Sequence, residues 1–214
     1  MNISTRFHQI VLVAVALAPL GRAQAAPDKV VVFLAMPGAG KSTVAHAMAV
    51  RAGNAPIWSS GDVIRAAVAA KFGAYTIEND QAMRAEFGKT PGKVGQLVAA
   101  AVTQAQGPLG IVEGFRTPED LTEFKKAFPD VKIVAIQVGA QRRYGRMLGR
   151  GRAGEDTVQV LRERDASELK LGVGRAMRLA DLRIRPGDGP PALERSVEQL
   201  MKKLAIPSPA AAAR

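Results

Sequence analysis

Cysteine is absent from the 214-residue chain, which removes disulfides, thiolate metal sites and cysteine nucleophiles together. Histidine occurs only as His8 and His46, in separate segments, so nothing points to a histidine-rich metal centre. Aromatic residues are scarce at 5% and do not interleave the basic stretches, as a stacking surface for nucleic-acid bases requires. The unbroken apolar run Ile10–Ala18 is too short to cross a bilayer core of about 30 Å. Acidic residues are the minority: 19 against 30 lysines and arginines, a formal net charge of +11. Any acid–base work therefore falls to carboxylates, lysine or arginine.

What is present is an α/β pattern with enough apolar content, 47%, for one domain with a sizeable core. The chain is organised around Val30–Thr43, VVVFLAMPGAGKST. Val30–Leu34 reads as a fully buried strand, Ala35–Gly40 as a small-residue loop, and Lys41-Ser42-Thr43 as the start of a helix running to about Arg51. Strand, glycine loop, Lys-Ser and helix together form the context of a phosphate-binding loop. Small residues let the segment Pro37–Thr43 wrap a phosphate so that successive N–H groups after Pro37 point inward, and the helix N-terminus adds partial positive charge. Lys41 can reach the β/γ-phosphates, and the Ser42 hydroxyl can hold Mg²⁺. The usual spacing, G-x-x-x-x-G-K-[ST], has glycine where this chain has Ala35. If that position needs positive φ, alanine costs roughly 1 kcal/mol or more.

Eleven arginines lie between Arg142 and Arg185. Arginine binds polyphosphate bidentately, and that reading is preferred over nucleic acid or an anionic membrane surface. Residues 1–26 stand apart from the domain: Arg6 in a polar start, the apolar run, Pro19 and Gly21, then Ala23-Gln-Ala25 as a small-x-small cleavage pattern. This is the anatomy of a secretory signal peptide. A function using ATP points instead to the cytoplasm, which is the expectation adopted, with export as the alternative.

Three further segments carry a resemblance. Ser60-Gly61-Asp62-Val63-Ile64-Arg65, after a short strand Ala55–Ser59, resembles the acceptor-binding segment of adenylate kinases and related nucleoside monophosphate kinases. Glu113-Gly114-Phe115-Arg116-Thr117, leaving a strand from Leu109, is similar to that family's Asp-Gly-Phe-Pro-Arg-Thr, with Glu for Asp and no proline before Arg116. Gly149-Arg150-Gly151-Arg152 and its flanks look like a short lid. Within the P-loop nucleoside monophosphate kinase superfamily, the compact lid and Arg164-Asp165-x-x-Glu168-Leu169 look most like archaeal predicted nucleotide kinases grouped with dephospho-coenzyme A kinases.

The resemblance implies a role for each position. Ser60, Gly61, Asp62, Arg65, Gly114 and Arg116 would bind the acceptor. Ser42 and Glu113 would hold Mg²⁺. Lys41, Arg116, Arg150 and Arg152 would act on the transferring phosphoryl group of ATP, and Arg162 or Arg164 would join them. With further strands at Val131–Val138 and Asp181–Arg185, the expected fold is a three-layer, five-stranded parallel sheet of the P-loop NTPase type with a short lid. The expected domain spans 27–205, with acceptor helices at about 61–107, a lid at about 149–165 and a frayed tail at 206–214. The expected activity is Mg²⁺- and ATP-dependent phosphoryl transfer to a small phosphorylated nucleoside such as AMP. The alternatives are a dephospho-coenzyme A kinase, and a nucleotide-binding switch or nucleic-acid-associated ATPase without an acceptor.

Overall fold

Val30–Ala35 (β1) alternates its side chains between two apolar layers, and that alternation sets the architecture. In the computed structural model, which describes residues 26–151, 154 and 157–207, Val31 and Phe33 face one layer while Val30, Val32 and Leu34 face the other. Both faces of a parallel strand are covered by crossover helices, so its sequence is apolar throughout. The leader-like residues 1–25, Arg152 and the tail from 208 lie outside the described residues.

The elements after β1 run in order: Lys41–Arg51 (α1), Ile57–Ser59 (β2), Ser60–Phe72 (α2), Ile77–Gly88 (α3), Lys93–Thr103 (α4), Gly110–Glu113 (β3) and Pro118–Ala127 (α5). They continue with Lys132–Ile136 (β4), Ala140–Leu148 (α6), Val158–Leu171 (α7), Val173–Arg178 (α8), Leu182–Ile184 (β5) and Pro190–Lys203 (α9). The sheet is five-stranded and parallel in the order β2-β3-β1-β4-β5. The chain thus crosses to one side of β1 through β2 and β3, then to the other through β4 and β5. The reversal opens a crevice at the carboxyl end of β1, where open α/β sheets take their ligands.

One layer packs Phe33, Met48, Ile111, Ile136, Val197 and Leu200 beneath α1 and α9. The other packs Leu34, Val98, Val102, Phe124 and Ile133 beneath α4 and α5. Phe124 stacks on Phe128 with ring centroids 4.9 Å apart. A fully buried side chain of this size stabilises by about 1.5–3 kcal/mol, so the sheet is anchored on both faces. Gly95 lets α4 and α5 touch: a Cβ there would lie 2.0 Å from the Asp120 carbonyl oxygen.

The structure revises three readings. Ala35 is the last residue of β1 and pairs with Ile136 in extended backbone. The positive-φ residues of the phosphate loop are Gly38 at 76° and Gly40 at 82°, so the penalty conditional on Ala35 does not arise. The short helix α8, which no strong sequence signal announced, packs Ala176 under the sheet. Ile206, assigned to the tail, is buried and donates its N–H to the Met201 carbonyl at 2.9 Å.

Candidate active site

The loop between β1 and α1 is shaped by its glycines and by the helix beneath it. Ala39 N–H donates to the Met36 carbonyl at 3.2 Å, turning the chain, and Gly38 and Gly40 take left-handed backbone. Gly38 rests on α6 so closely that a Cβ would sit 2.7 Å from Met147 Sδ and 2.9 Å from the Arg143 carbonyl oxygen. Gly40 is the N-cap of α1, with no side-chain cap and no acidic residue in the first turn. The unpaired N–H groups and positive pole of α1 are therefore left for an anion.

Opposite them stands Glu113, at the end of β3. The β1–β3 register pairs Glu113 with Phe33, and the sheet keeps its carboxylate 8% exposed. Ser42 Oγ donates to Glu113 Oε1 at 2.9 Å, and Lys41 Nζ lies 2.7 Å from Oε2. That Oε2 is buried without a well-aligned hydrogen bond, so the ammonium neutralises it by charge alone. A hydroxyl and a carboxylate at the mouth of a phosphate loop are the hard oxygen donors Mg²⁺ takes from a protein while phosphates and waters complete its shell. The donor set therefore fits the ion without a larger acidic cluster, and among the described residues there is none.

On the acceptor side, the Ser59 hydroxyl accepts from Gly61 N–H at 3.2 Å and caps α2. Ser60 is buried against Gly114: a Cβ on Gly114 would lie 2.6 Å from Ser60 Oγ. Asp62 and Arg65 form an ion pair with each other on an exposed face, with side-chain exposures of 69% and 52%. They do not join the Lys41–Ser42–Glu113 group. Arg116 Nε lies 3.4 Å from Glu168 Oε2 on α7. Burial depresses the pKa of Arg116 most, Glu168 opposes that, and the nearby charges of Arg84 and Arg164 depress it further. Arg116 thus belongs to a group of three guanidiniums drawn from α3, the β3 exit and α7.

The lid region is only partly described. Arg150 follows α6; Arg152, expected beside it, is outside the described residues. Arg146, which the sequence reading gave no role, reaches the loop at its helix end: its Nη1 lies 3.5 Å from where a Cβ on Gly40 would be. It shares Asp188 with Arg142, and hydrogen bonds from Arg146 and then Arg142 hold that carboxyl below its ordinary range. A cleft of about 510 Å³ opens beside these groups, lined by Met36, Val138, Gly139, Arg142 and Arg185 among others.

Arg143, Asp165 and Glu168 were also overlooked as working residues. Their sequence signal was acids three apart on a helix rich in arginine. What those acids meet became visible only when α6, α7 and the β3 exit were brought together.

A glycine-shaped phosphate loop at the switch point of a five-stranded parallel sheet, with Lys and Ser facing a strand-end carboxylate, defines a P-loop kinase-like domain. Comparison with known proteins agrees. A family model described as an AAA domain matches residues 34–162. A UPF0200 protein of Pyrococcus abyssi (strain GE5 / Orsay) is 32% identical over 184 residues, 82% of this chain and 96% of that protein. One from Pyrococcus furiosus is also 32% identical, covering 82% and 97%. The chain belongs to the UPF0200 proteins.

Among solved structures, shikimate kinase from Bacteroides thetaiotaomicron superposes with a TM-score of 0.59 at 17% identity, over 83% of this chain and 98% of that one. A gluconokinase from Sinorhizobium meliloti 1021 does so with a TM-score of 0.52 at 13% identity, over 85% and 98%. These likenesses are of fold. No helix among the described residues is long and apolar enough to cross a membrane.

Proposed function

We propose that this protein transfers the γ-phosphoryl group of ATP to a small phosphorylated nucleoside, with AMP the first candidate. The observation that carries the reading is the joint placement of Lys41 and Ser42, at an uncapped helix N-terminus, on one shared buried carboxylate, that of Glu113. Phosphoryl transfer needs little covalent help from a protein; it needs the reactants aligned and the charge on the equatorial oxygens neutralised. The loop Pro37–Thr43 cradles the donor phosphates with its backbone N–H groups from Gly38 onward. Lys41 exchanges its contact with Glu113 for phosphate oxygens. Ser42 and Glu113 would hold Mg²⁺, which would screen the charge of the donor phosphates. Arg116 and Arg150 face the transferring group, with Arg152 assigned beside them from sequence alone.

The acceptor lies over Ser60, Gly61 and Gly114, and Arg116 also meets it. Arg65 would turn from Asp62 to the acceptor phosphate, freeing Asp62 to act on the metal through water. The reacting oxygen of the acceptor attacks directly, without a protein nucleophile. Residues 61–107 form the acceptor lobe, 149–165 the lid and 1–26 a leader, and the domain from 27 closes at the buried Ile206, with the tail beyond it. The reaction is placed in the cytoplasm, where ATP is available.

The test incubates the full chain with Mg²⁺ and γ-labelled ATP against AMP, CMP, UMP, GMP, dephospho-coenzyme A, shikimate and gluconate. Label should pass to one acceptor, and Lys41→Ala should slow transfer by at least about a hundredfold, the scale of losing a transition-state charge donor. Release of label only as free phosphate, whatever acceptor is present, would overturn the kinase reading in favour of an ATPase or switch.

A further inference from the structure

Beneath the phosphate loop lies a charged pair that the proposed chemistry does not use. Arg143, on α6, is 5% exposed, and Asp165, on α7, is 8% exposed. Burying two charges is costly unless every donor and acceptor is matched. Here they are matched closely. Arg143 Nη1 donates to Asp165 Oδ1 at 2.9 Å, and Nη2 donates to Oδ2. Tyr144 Oη donates to the same Oδ2 at 2.8 Å. The guanidinium's remaining bonds leave the pair: Nη1 also donates to the Pro37 carbonyl at 2.9 Å, and Nε to the Val138 carbonyl at 3.2 Å.

Those two carbonyls fix the meaning of the arrangement. Pro37 belongs to the phosphate loop, and Val138 to the exit of β4 beside it. The rigid planar fork of an arginine therefore spans three pieces of chain: the loop, the strand exit and, through Asp165, the helix that leaves the lid. Met147, one turn further along α6, supports Gly38 from the same side. Three residues beyond Asp165, on the same helical face, Glu168 meets Arg116.

We propose that Asp165 and Arg143 are positioning residues for nucleotide binding: Asp165 aims the Arg143 guanidinium, which holds the Pro37 carbonyl and so fixes the phosphate loop against the helices that flank the lid. The inference deepens the reading above, because it assigns to that same donor site the residues that hold it in shape. With α6 and α7 tied to each other and to the loop at this point, the two helices stay with the loop.

The experiment separates positioning from stability. Removing one member of a buried pair leaves the other uncompensated and destabilises the fold, whereas replacing both by apolar residues of similar volume is commonly neutral. The double variant R143M/D165L should therefore keep an unfolding midpoint near that of the wild type. Its dissociation constant for Mg·ATP, measured by calorimetry, should rise at least tenfold. R143K is the second variant: it keeps the positive charge and a partner for Asp165 but cannot span Pro37 and Val138 together, and it too should bind Mg·ATP at least tenfold more weakly.

Wild-type affinity in a folded R143M/D165L would overturn the inference, as would wild-type affinity in R143K if the double variant does not fold. Because the readout is nucleotide binding, its outcome is independent of the acceptor. Weakened binding in the variants, with no acceptor phosphorylated by the wild type, would uphold this inference and defeat the kinase reading. Unchanged binding together with acceptor phosphorylation would do the reverse.

Discussion

Exchanging the two small residues that frame the phosphate loop tests the geometry assigned to it. Ala35→Gly restores the glycine of the usual loop pattern. Ala35 is a strand residue paired with Ile136 in extended backbone, so glycine relieves no strain. It adds chain entropy to the unfolded state, at about 0.5–1 kcal/mol, and removes a half-buried methyl worth up to about 0.8 kcal/mol. The expected result is a loss of about 1 kcal/mol, or about 2–4 °C in melting temperature for a chain of this size, with Mg·ATP affinity unchanged within about twofold.

Gly38→Ala should act the other way round. Its φ of 76° costs an L-residue about 1–2 kcal/mol. The new Cβ would also meet Met147 Sδ at 2.7 Å and the Arg143 carbonyl oxygen at 2.9 Å. The thioether can swing aside, but the carbonyl belongs to a helix and cannot. The loop must therefore shift, and Mg·ATP affinity should fall by a factor of ten or more, about 1.4 kcal/mol. Thermal melts and calorimetric titration of both variants read these effects directly. Tighter nucleotide binding or a higher melting temperature in Ala35→Gly would refute the reasoning, and so would wild-type affinity in Gly38→Ala.

Three further outcomes follow from particular contacts. Gly95→Ala places a Cβ 2.0 Å from the Asp120 carbonyl oxygen, so α4 and α5 must separate; a loss of about 1–3 kcal/mol should appear in denaturant unfolding, and an unchanged midpoint would show that the helices yield freely. Glu168→Gln removes the carboxylate beside Arg116, and should raise the acceptor KM severalfold while leaving the ATP KM near its original value; equal effects on both would place Glu168 in the general framework of the site. For Asp165, burial raises the pKa, but hydrogen bonds from Arg143 and Tyr144 outweigh it and the net shift is downward. A carboxylate with a depressed folded-state pKa contributes stability above its unfolded value of about 3.9, and that stability is lost as pH falls through the folded value. Acid titration followed by circular dichroism should thus show a smaller loss of stability below about pH 4 in R143M/D165L than in the wild type.

Much of this molecule was legible from local chemistry. Val30–Leu34 had to be a buried strand because an apolar run of that length flanked by turn residues has few other uses. The Gly40-Lys41-Ser42 junction announced a phosphate loop because its function is exerted by contiguous backbone. Alternating strands and helices then restricted the topology to a parallel sheet with its ligand at the carboxyl ends. The sequence alone left open whether Ala35 sits in strained backbone, because φ depends on where the strand ends, and the pairing with β4 sets that end.

The encounter of Ser42 with Glu113 spans 71 positions and follows from the register of β1 on β3. The fate of the arginines was likewise beyond the sequence, which showed a dense basic stretch with no means of sorting it. Arg143 is buried because Asp165, 22 positions away, lies across from it on the neighbouring helix. Arg142 and Arg146, one turn apart on α6, share Asp188, 46 and 42 positions away. Local sequence determines which groups can bind a phosphate, through backbone geometry and side-chain type. Tertiary structure decides which charges are neutralised within the protein and which face the cleft, because a charge's environment is set by the neighbours that folding brings to it.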